Sequence, residues 1–154
     1  MLFRSALLII NDHPLVAKAV NADALHLGLE DMSLEEAQKI VPGKIIGGTA
    51  NTFAQVKQRC SEKVDYIGLG PYRFTTTKER LSPVLGLEGY TSIFQKMGLE
   101  NLNTPVYAIG GIELADIQPL IRAGVYGIAV SGLLTGVGDK NKLVTEINKI
   151  LYHA

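Results

Sequence analysis

A chain of 154 residues has the length of one domain and enough sequence for a substantial core. Fifteen basic and fifteen acidic side chains cancel without a long run of either sign, which argues against nucleic acid or an anionic membrane as the main partner. Apolar residues reach 47%, yet no apolar stretch approaches the ~18 residues of a spanning helix, and a single Cys60 leaves no intrachain disulfide. A soluble protein of a reducing cytoplasm is the expectation.

Met1 to Ser5 form no signal peptide and read as a non-native-looking N-terminus ahead of a single domain. The first apolar run, residues 7–10, predicts a strand that ends at Asn11-Asp12, after which His13-Pro14 enters a helix. Residues 24–27 predict a second strand, with Asp31 following it and His26 set to point inward. Ser33-Leu34-Glu35-Glu36 reads as a capping box, and Leu34, Ala37, Ile40 and Val41 share one helical face. A third strand over residues 45–48 leads into Thr49-Ala50-Asn51, and a helix follows from Thr52 through Phe53, Val56 and Cys60.

The fourth strand, residues 66–69, opens into Gly70-Pro71-Tyr72-Arg73-Phe74-Thr75-Thr76-Thr77-Lys78. Hydroxyls, backbone N–H groups and two cations suit such a loop to holding oxyanions; as a bare connector it would be a solvated Thr/Lys turn. A helix over residues 88–97 places Tyr90, Ile93, Phe94 and Met97 together. Strands at 106–109 and 128–130 end in Gly110-Gly111 and Ser131-Gly132, separated by a helix over 115–123, and a last helix covers 141–151. Short, continuously apolar strands alternating with helices predict a parallel sheet buried on both faces.

The polar residues fall after the C-terminal ends of the strands, the face that carries the active site in a TIM (β/α)₈ barrel. The two glycine turns after the last strands offer bare backbone amides to an anion. An open doubly wound sheet would call for a Gly-rich loop after its first strand, and none is present. The predicted fold is therefore an α/β TIM barrel with only about six βα units, the first two missing. Asp12 and Asp31 end adjacent strands, where two carboxylates with phosphate oxygens and water would hold Mg²⁺; each could instead cap the following helix. Asn11 contacts a ligand or ends its strand by an Asx turn. His26 reads as a satisfied core histidine, and no zinc motif or nucleophilic triad is present.

Asn11-Asp12, then His26-Leu27-Gly28-Leu29-Glu30-Asp31, Ile46-Gly47-Gly48-Thr49, Gly68-Leu69-Gly70-Pro71 with Thr75-Thr76-Thr77-Lys78, and Ala108-Ile109-Gly110-Gly111-Ile112 together resemble the thiamine-phosphate synthase family, also called thiamine-phosphate pyrophosphorylase. The resemblance runs in order from about Leu7 to the C-terminus. It implies a barrel enzyme that joins hydroxymethylpyrimidine pyrophosphate to thiazole phosphate, giving thiamine phosphate and pyrophosphate. Its partners would be small phosphorylated molecules and its cofactor Mg²⁺. By the same resemblance Asp12 and Asp31 are the metal ligands. Asn11, Thr49 and Lys78 contact the pyrimidine pyrophosphate, with Lys78 also the catalytic cation. Thr75, Thr76, Thr77, Gly111, Ser131 and Gly132 hold the thiazole phosphate.

Three departures accompany the resemblance. Thr49 stands where the family usually has serine, and Val130-Ser131-Gly132 is one apolar residue short before the serine. The first two strands, which in the family carry a glutamine and basic residues, have no counterpart in Met1 to Ser5. A fragment that binds phosphate without turnover is thus the rival of a different class. A thiazole tautomerase of the same superfamily would need a histidine after the third strand, where this chain reads Thr49-Ala50-Asn51-Thr52.

Overall fold

The computed structural model describes residues 6–74 and 83–152. Six strands alternate with helices: β1 (Ile9–Asn11), α1 (Pro14–Ala19), β2 (Ala24–Leu27), α2 (Leu34–Ile40), β3 (Ile45–Ala50), α3 (Phe53–Glu62) and β4 (Tyr66–Leu69). After residues 75–82 come α4 (Gly86–Leu99), β5 (Val106–Ile109), a 3₁₀ turn (Leu114–Asp116), α5 (Ile117–Arg122), β6 (Gly127–Ala129), α6 (Gly132–Thr135) and α7 (Lys140–Tyr152). All five strand pairs are parallel, and the spatial order is β1-β2-β3-β4-β5-β6. A strictly sequential order contains no switch point, which removes the doubly wound alternative. The described architecture is a six-stranded half-barrel, not a closed eight-stranded one.

Local chemistry explains where the elements start. Ser33 caps α2, accepting from the Glu36 N–H while the Glu36 carboxylate accepts from the Ser33 N–H, as the sequence predicts. Thr52 and Gln55 build the same reciprocal box on α3. At the other end of α3, Lys63 turns left-handed (φ 62°) and its N–H returns to the Cys60 carbonyl. The helix expected over residues 115–123 is in fact a 3₁₀ turn followed by α5. Glu113 and Asp116 cap that turn, so Asp116 lies inside the junction.

The two faces of the sheet differ. Leu25, Leu27, Ile46, Ile67, Leu69, Val106 and Ala108 are at most 2% exposed and form one core with Ala37, Val56, Tyr90, Ile93, Ile117 and Leu120 from the helices. Alternation along the strands sends His26, Thr49, Tyr66 and Tyr107 to the opposite face. Glycines make room there: a Cβ on Gly47 would fall 2.1 Å from Cζ of Tyr66, and one on Gly127 would fall 2.8 Å from Cε1 of Tyr107. The expectation of burial on both faces holds for β3, buried at every position from Ile46 to Ala50, but not along the whole sheet. It fails at β1, an edge strand, where Ile9 is 44% exposed and Leu8, just before it, 49%.

Candidate functional site at the C-terminal rim of the sheet

Because every strand runs the same way, the residues closing each strand gather on one rim. Asn11 ends β1 in register with His26, and Asp12 follows in a left-handed conformation (φ 61°) with its N–H bonded to the His26 carbonyl at 2.9 Å. Asp31 folds back from the β2–α2 turn, its Oδ2 accepting from the Gly28 N–H at 2.5 Å. Both carboxylates line the same turn, since a Cβ on Gly28 would sit 2.9 Å from Asp31 Oδ2 and 3.9 Å from Asp12 Oδ1. Asp31 does not cap α2; Ser33 does. Both aspartates are exposed, and the described residues contain no group of three His, Cys, Asp or Glu side chains suited to a metal. Two hard carboxylate donors that leave most of a coordination shell open fit Mg²⁺ completed by phosphate oxygens and water.

Thr49 is 4% exposed near the end of β3, and its Oγ1 lies 3.0 Å from Nε2 of His26. Nδ1 of that ring is 3.1 Å from the Tyr66 hydroxyl, and the two rings stack at 5.4 Å. Burial, with Tyr107 and Asp65 nearby, pushes the Tyr66 hydroxyl up to about 12, so it is a neutral hydrogen-bonding group at physiological pH. His26 is thus the satisfied histidine the sequence implied, but it braces Thr49 rather than filling a core.

Beneath the rim lies a residue that sequence reasoning missed. Arg59 of α3 is 6% exposed. It donates to the Thr49 carbonyl (3.0 Å) and the Gly28 carbonyl (2.7 Å), and pairs with Glu62 (2.8 Å). It therefore fixes the ends of β2 and β3 relative to each other, and Gly48 is glycine where a Cβ would meet Arg59 Cδ at 2.7 Å. The available signal was Gly48 itself, a glycine in the middle of a strand. Asn51, also buried, donates from Nδ2 to the Gly70 carbonyl and ties β3 to the loop after β4.

The Gly70–Pro71 peptide bond is cis. The loop then lies against the turn after β5: the N–H groups of Tyr72 and Arg73 donate to the carbonyls of Ile109 and Gly110, both at 2.9 Å. Gly110 and Gly111 are left-handed (φ 88° and 67°), and a Cβ on Gly111 would strike Arg73 Cβ at 2.7 Å. Arg73 was read as a cation for substrate oxyanions. It is instead committed to Asp116, with Nη2 to Oδ1 at 2.8 Å and Nη1 bonded to Oδ2. Thr75, Thr76, Thr77 and Lys78 lie outside the described residues. Ser131 and Gly132 follow β6 on the same rim and are exposed, with Ser131 at the start of the four-residue α6.

The geometry thus brings Asn11, Asp12, Asp31, Thr49, Gly111, Ser131 and Gly132 to one edge of one sheet. The family described as thiamine monophosphate synthase matches residues 3–134. The thiamine-phosphate synthase of Flavobacterium psychrophilum is 54% identical over 148 residues, covering 96% of this chain and 72% of that protein. The one from Flavobacterium johnsoniae is 53% identical, covering 94% and 68%. The solved thiamine phosphate pyrophosphorylase of Pyrococcus furiosus superposes with a TM-score of 0.82 at 36% identity, over 96% of this chain and 68% of that one. A 3-hexulose-6-phosphate synthase structure superposes with a TM-score of 0.64 at 15% identity, a likeness of fold alone. This chain belongs to the thiamine-phosphate synthase family.

Proposed function

We propose that the rim performs the family's transferase reaction with Mg²⁺ held by Asp12 and Asp31. Hydroxymethylpyrimidine pyrophosphate loses its pyrophosphate, the nitrogen of thiazole phosphate takes up the pyrimidine methylene, and thiamine phosphate is released. The carrying observation is that two carboxylates from adjacent strand ends flank the single Gly28 turn. Departure of pyrophosphate calls for charge neutralisation on its oxygens rather than for a strong base. When bound, Mg²⁺ supplies that neutralisation, and Asp12 and Asp31 are the residues to hold it.

The remaining roles follow from the same reading. Asn11 and Thr49 orient the pyrimidine substrate. The Thr49 hydroxyl has a fixed direction because the Tyr66–His26 stack holds its oxygen. Lys78 carries the leaving charge, and Thr75, Thr76 and Thr77 belong with the thiazole phosphate; these four roles rest on the family resemblance. The left-handed Gly110–Gly111 turn and the Ser131–Gly132 step present backbone N–H groups to that phosphate. No described helix is long and apolar enough to cross a membrane. Small soluble phosphorylated substrates suit a cytoplasmic enzyme.

Asp12→Asn and Asp31→Asn test this reading. Each should lower turnover by about 10²-fold or more and raise the Mg²⁺ concentration needed for half-maximal rate, consistent with the loss of electrostatic stabilisation of a leaving group. The melting temperature should barely move. Unchanged metal dependence in both variants would return these residues to a purely structural role in the turns.

A further inference from the structure

We infer that Arg73 and Asp116 form a positioning pair that sets the phosphate-facing turn after β5, and that they act as a unit. The inference rests on the reading of Gly111 as part of the thiazole-phosphate site. Asp116 is only 7% exposed, at the junction of the 3₁₀ turn and α5. Its carboxylate is held by three hydrogen bonds, two from the Arg73 guanidinium and one from the Glu113 N–H at 2.8 Å. The guanidinium also stands over the Tyr72 ring, 5.1 Å from its centroid.

Arg73 has a third bond that gives the pair its purpose. Nη1 donates to the Gly111 carbonyl at 3.1 Å. That carbonyl belongs to the Gly111–Ile112 peptide unit, so the guanidinium sets the direction in which the Ile112 N–H faces as the chain leaves the left-handed Gly110–Gly111 step. The backbone bonds from Tyr72 and Arg73 to Ile109 and Gly110 fasten the same turn from below. The loop also closes on itself through the N–H groups of Leu85 and Gly86, which donate to the carbonyls of Pro71 and Tyr72 at 3.0 and 3.1 Å. The strands thus deliver the two rim loops side by side, and the bidentate pair fixes their mutual angle. A planar fork matched to a carboxylate does this better than a lysine, which offers one point charge.

A part that only held the fold together would affect both substrates alike. A part that aims the β5 turn should affect one. Steady-state kinetics of Arg73→Gln, Asp116→Asn and the double variant should show KM for thiazole phosphate raised about tenfold, with KM for the pyrimidine pyrophosphate unmoved. The double variant should be no worse than either single change, as expected for two groups of one unit. Equal rises in both KM values, or additive losses, would overturn the pairing.

A second readout is independent of turnover: titration with inorganic phosphate, following the Gly111 and Ile112 amide resonances. Saturable shifts in the native protein that weaken about tenfold in Arg73→Gln support the proposal. Shifts of equal affinity in both proteins would remove the pair's role while leaving the phosphate turn in place. Native amides that do not respond to phosphate would remove the reading of Gly111, and the proposal with it.

Discussion

The two faces of the sheet obey different rules although they share the same strands. On the helix side, Leu25, Leu27, Ile46, Ile67 and Leu69 are shut from water by the helices. On the other side, alternate positions of the same strands carry His26, Gly47, Thr49, Tyr66 and Gly68, a sequence of polar, aromatic and missing side chains. A strand of four residues thus gives half its length to stability and half to placing hydrogen bonds. The lesson is that neighbouring residues can have unrelated consequences when mutated.

The sharpest way to break that comparison is at the aliphatic face. Leu25→Ala should cost about 2–5 kcal/mol of stability through lost burial and an incompletely collapsed cavity. Denaturant unfolding would measure it, while turnover per folded molecule at low temperature should stay near native. A large loss of turnover in protein shown to be folded would mean the faces are not separable.

Gly47 and Gly48 give a more direct contrast, because consecutive residues face opposite ways. Gly47→Ala drives a methyl into the Tyr66 ring, and Gly48→Ala drives one into the Arg59 side chain. Overpacking of this kind costs about 1–3 kcal/mol at either position. Gly47→Ala should in addition separate Tyr66 from His26 and lower turnover, visible as a change in the His26 ring nitrogen resonances. Gly48→Ala should lower the melting temperature through the displaced Arg59. Identical profiles for the two would contradict the division.

The smallest expected effect concerns acid. Burial raises the affinity of Asp116 for a proton, but the Arg73 and Glu113 hydrogen bonds outweigh it and hold the carboxyl below its ordinary value. A depressed folded-state pKa gives stability that is present above the unfolded value of about 3.9 and is lost as pH falls through the folded one. The melting-temperature gap between native protein and Asp116→Asn should therefore be widest near neutral pH, at a few degrees, and should close below about pH 4. A gap that grows in acid would reverse the assignment.

Much of this arrangement was legible in the chain. Short apolar runs ending in Asn11-Asp12, Thr49 and Gly110-Gly111 revealed the strands and the end that carries chemistry, and Ser33 with Glu36 marked a helix start. Continuous apolar runs do not reveal which face is which, because Leu25 and Leu27 look no different from Ile9 until the helices are placed. Arg59 and Asp116 were hidden for another reason. An arginine in a helix and an aspartate ahead of one look like solvent-facing residues, and only tertiary contacts bury them. Arg73 was misjudged on the same ground: its charge was visible, but its partner lies 43 residues away.

The sequential strand order has a consequence for how the connections between strands close. Each strand pairs with the next one in the chain, and the β4-to-β5 crossover, from Leu69 to Val106, is the one that carries both the rim loop and α4. Closing a longer connection costs only about 0.6 kcal/mol for each doubling of its length. Arg73 and Asn51 fasten that crossover where it leaves the sheet, and Leu85 and Gly86 fasten it where the helix begins. The folded rim itself thus holds the two ends of that connection together, so hydrogen bonds that the sheet and its loops already supply offset the entropic cost of closing it.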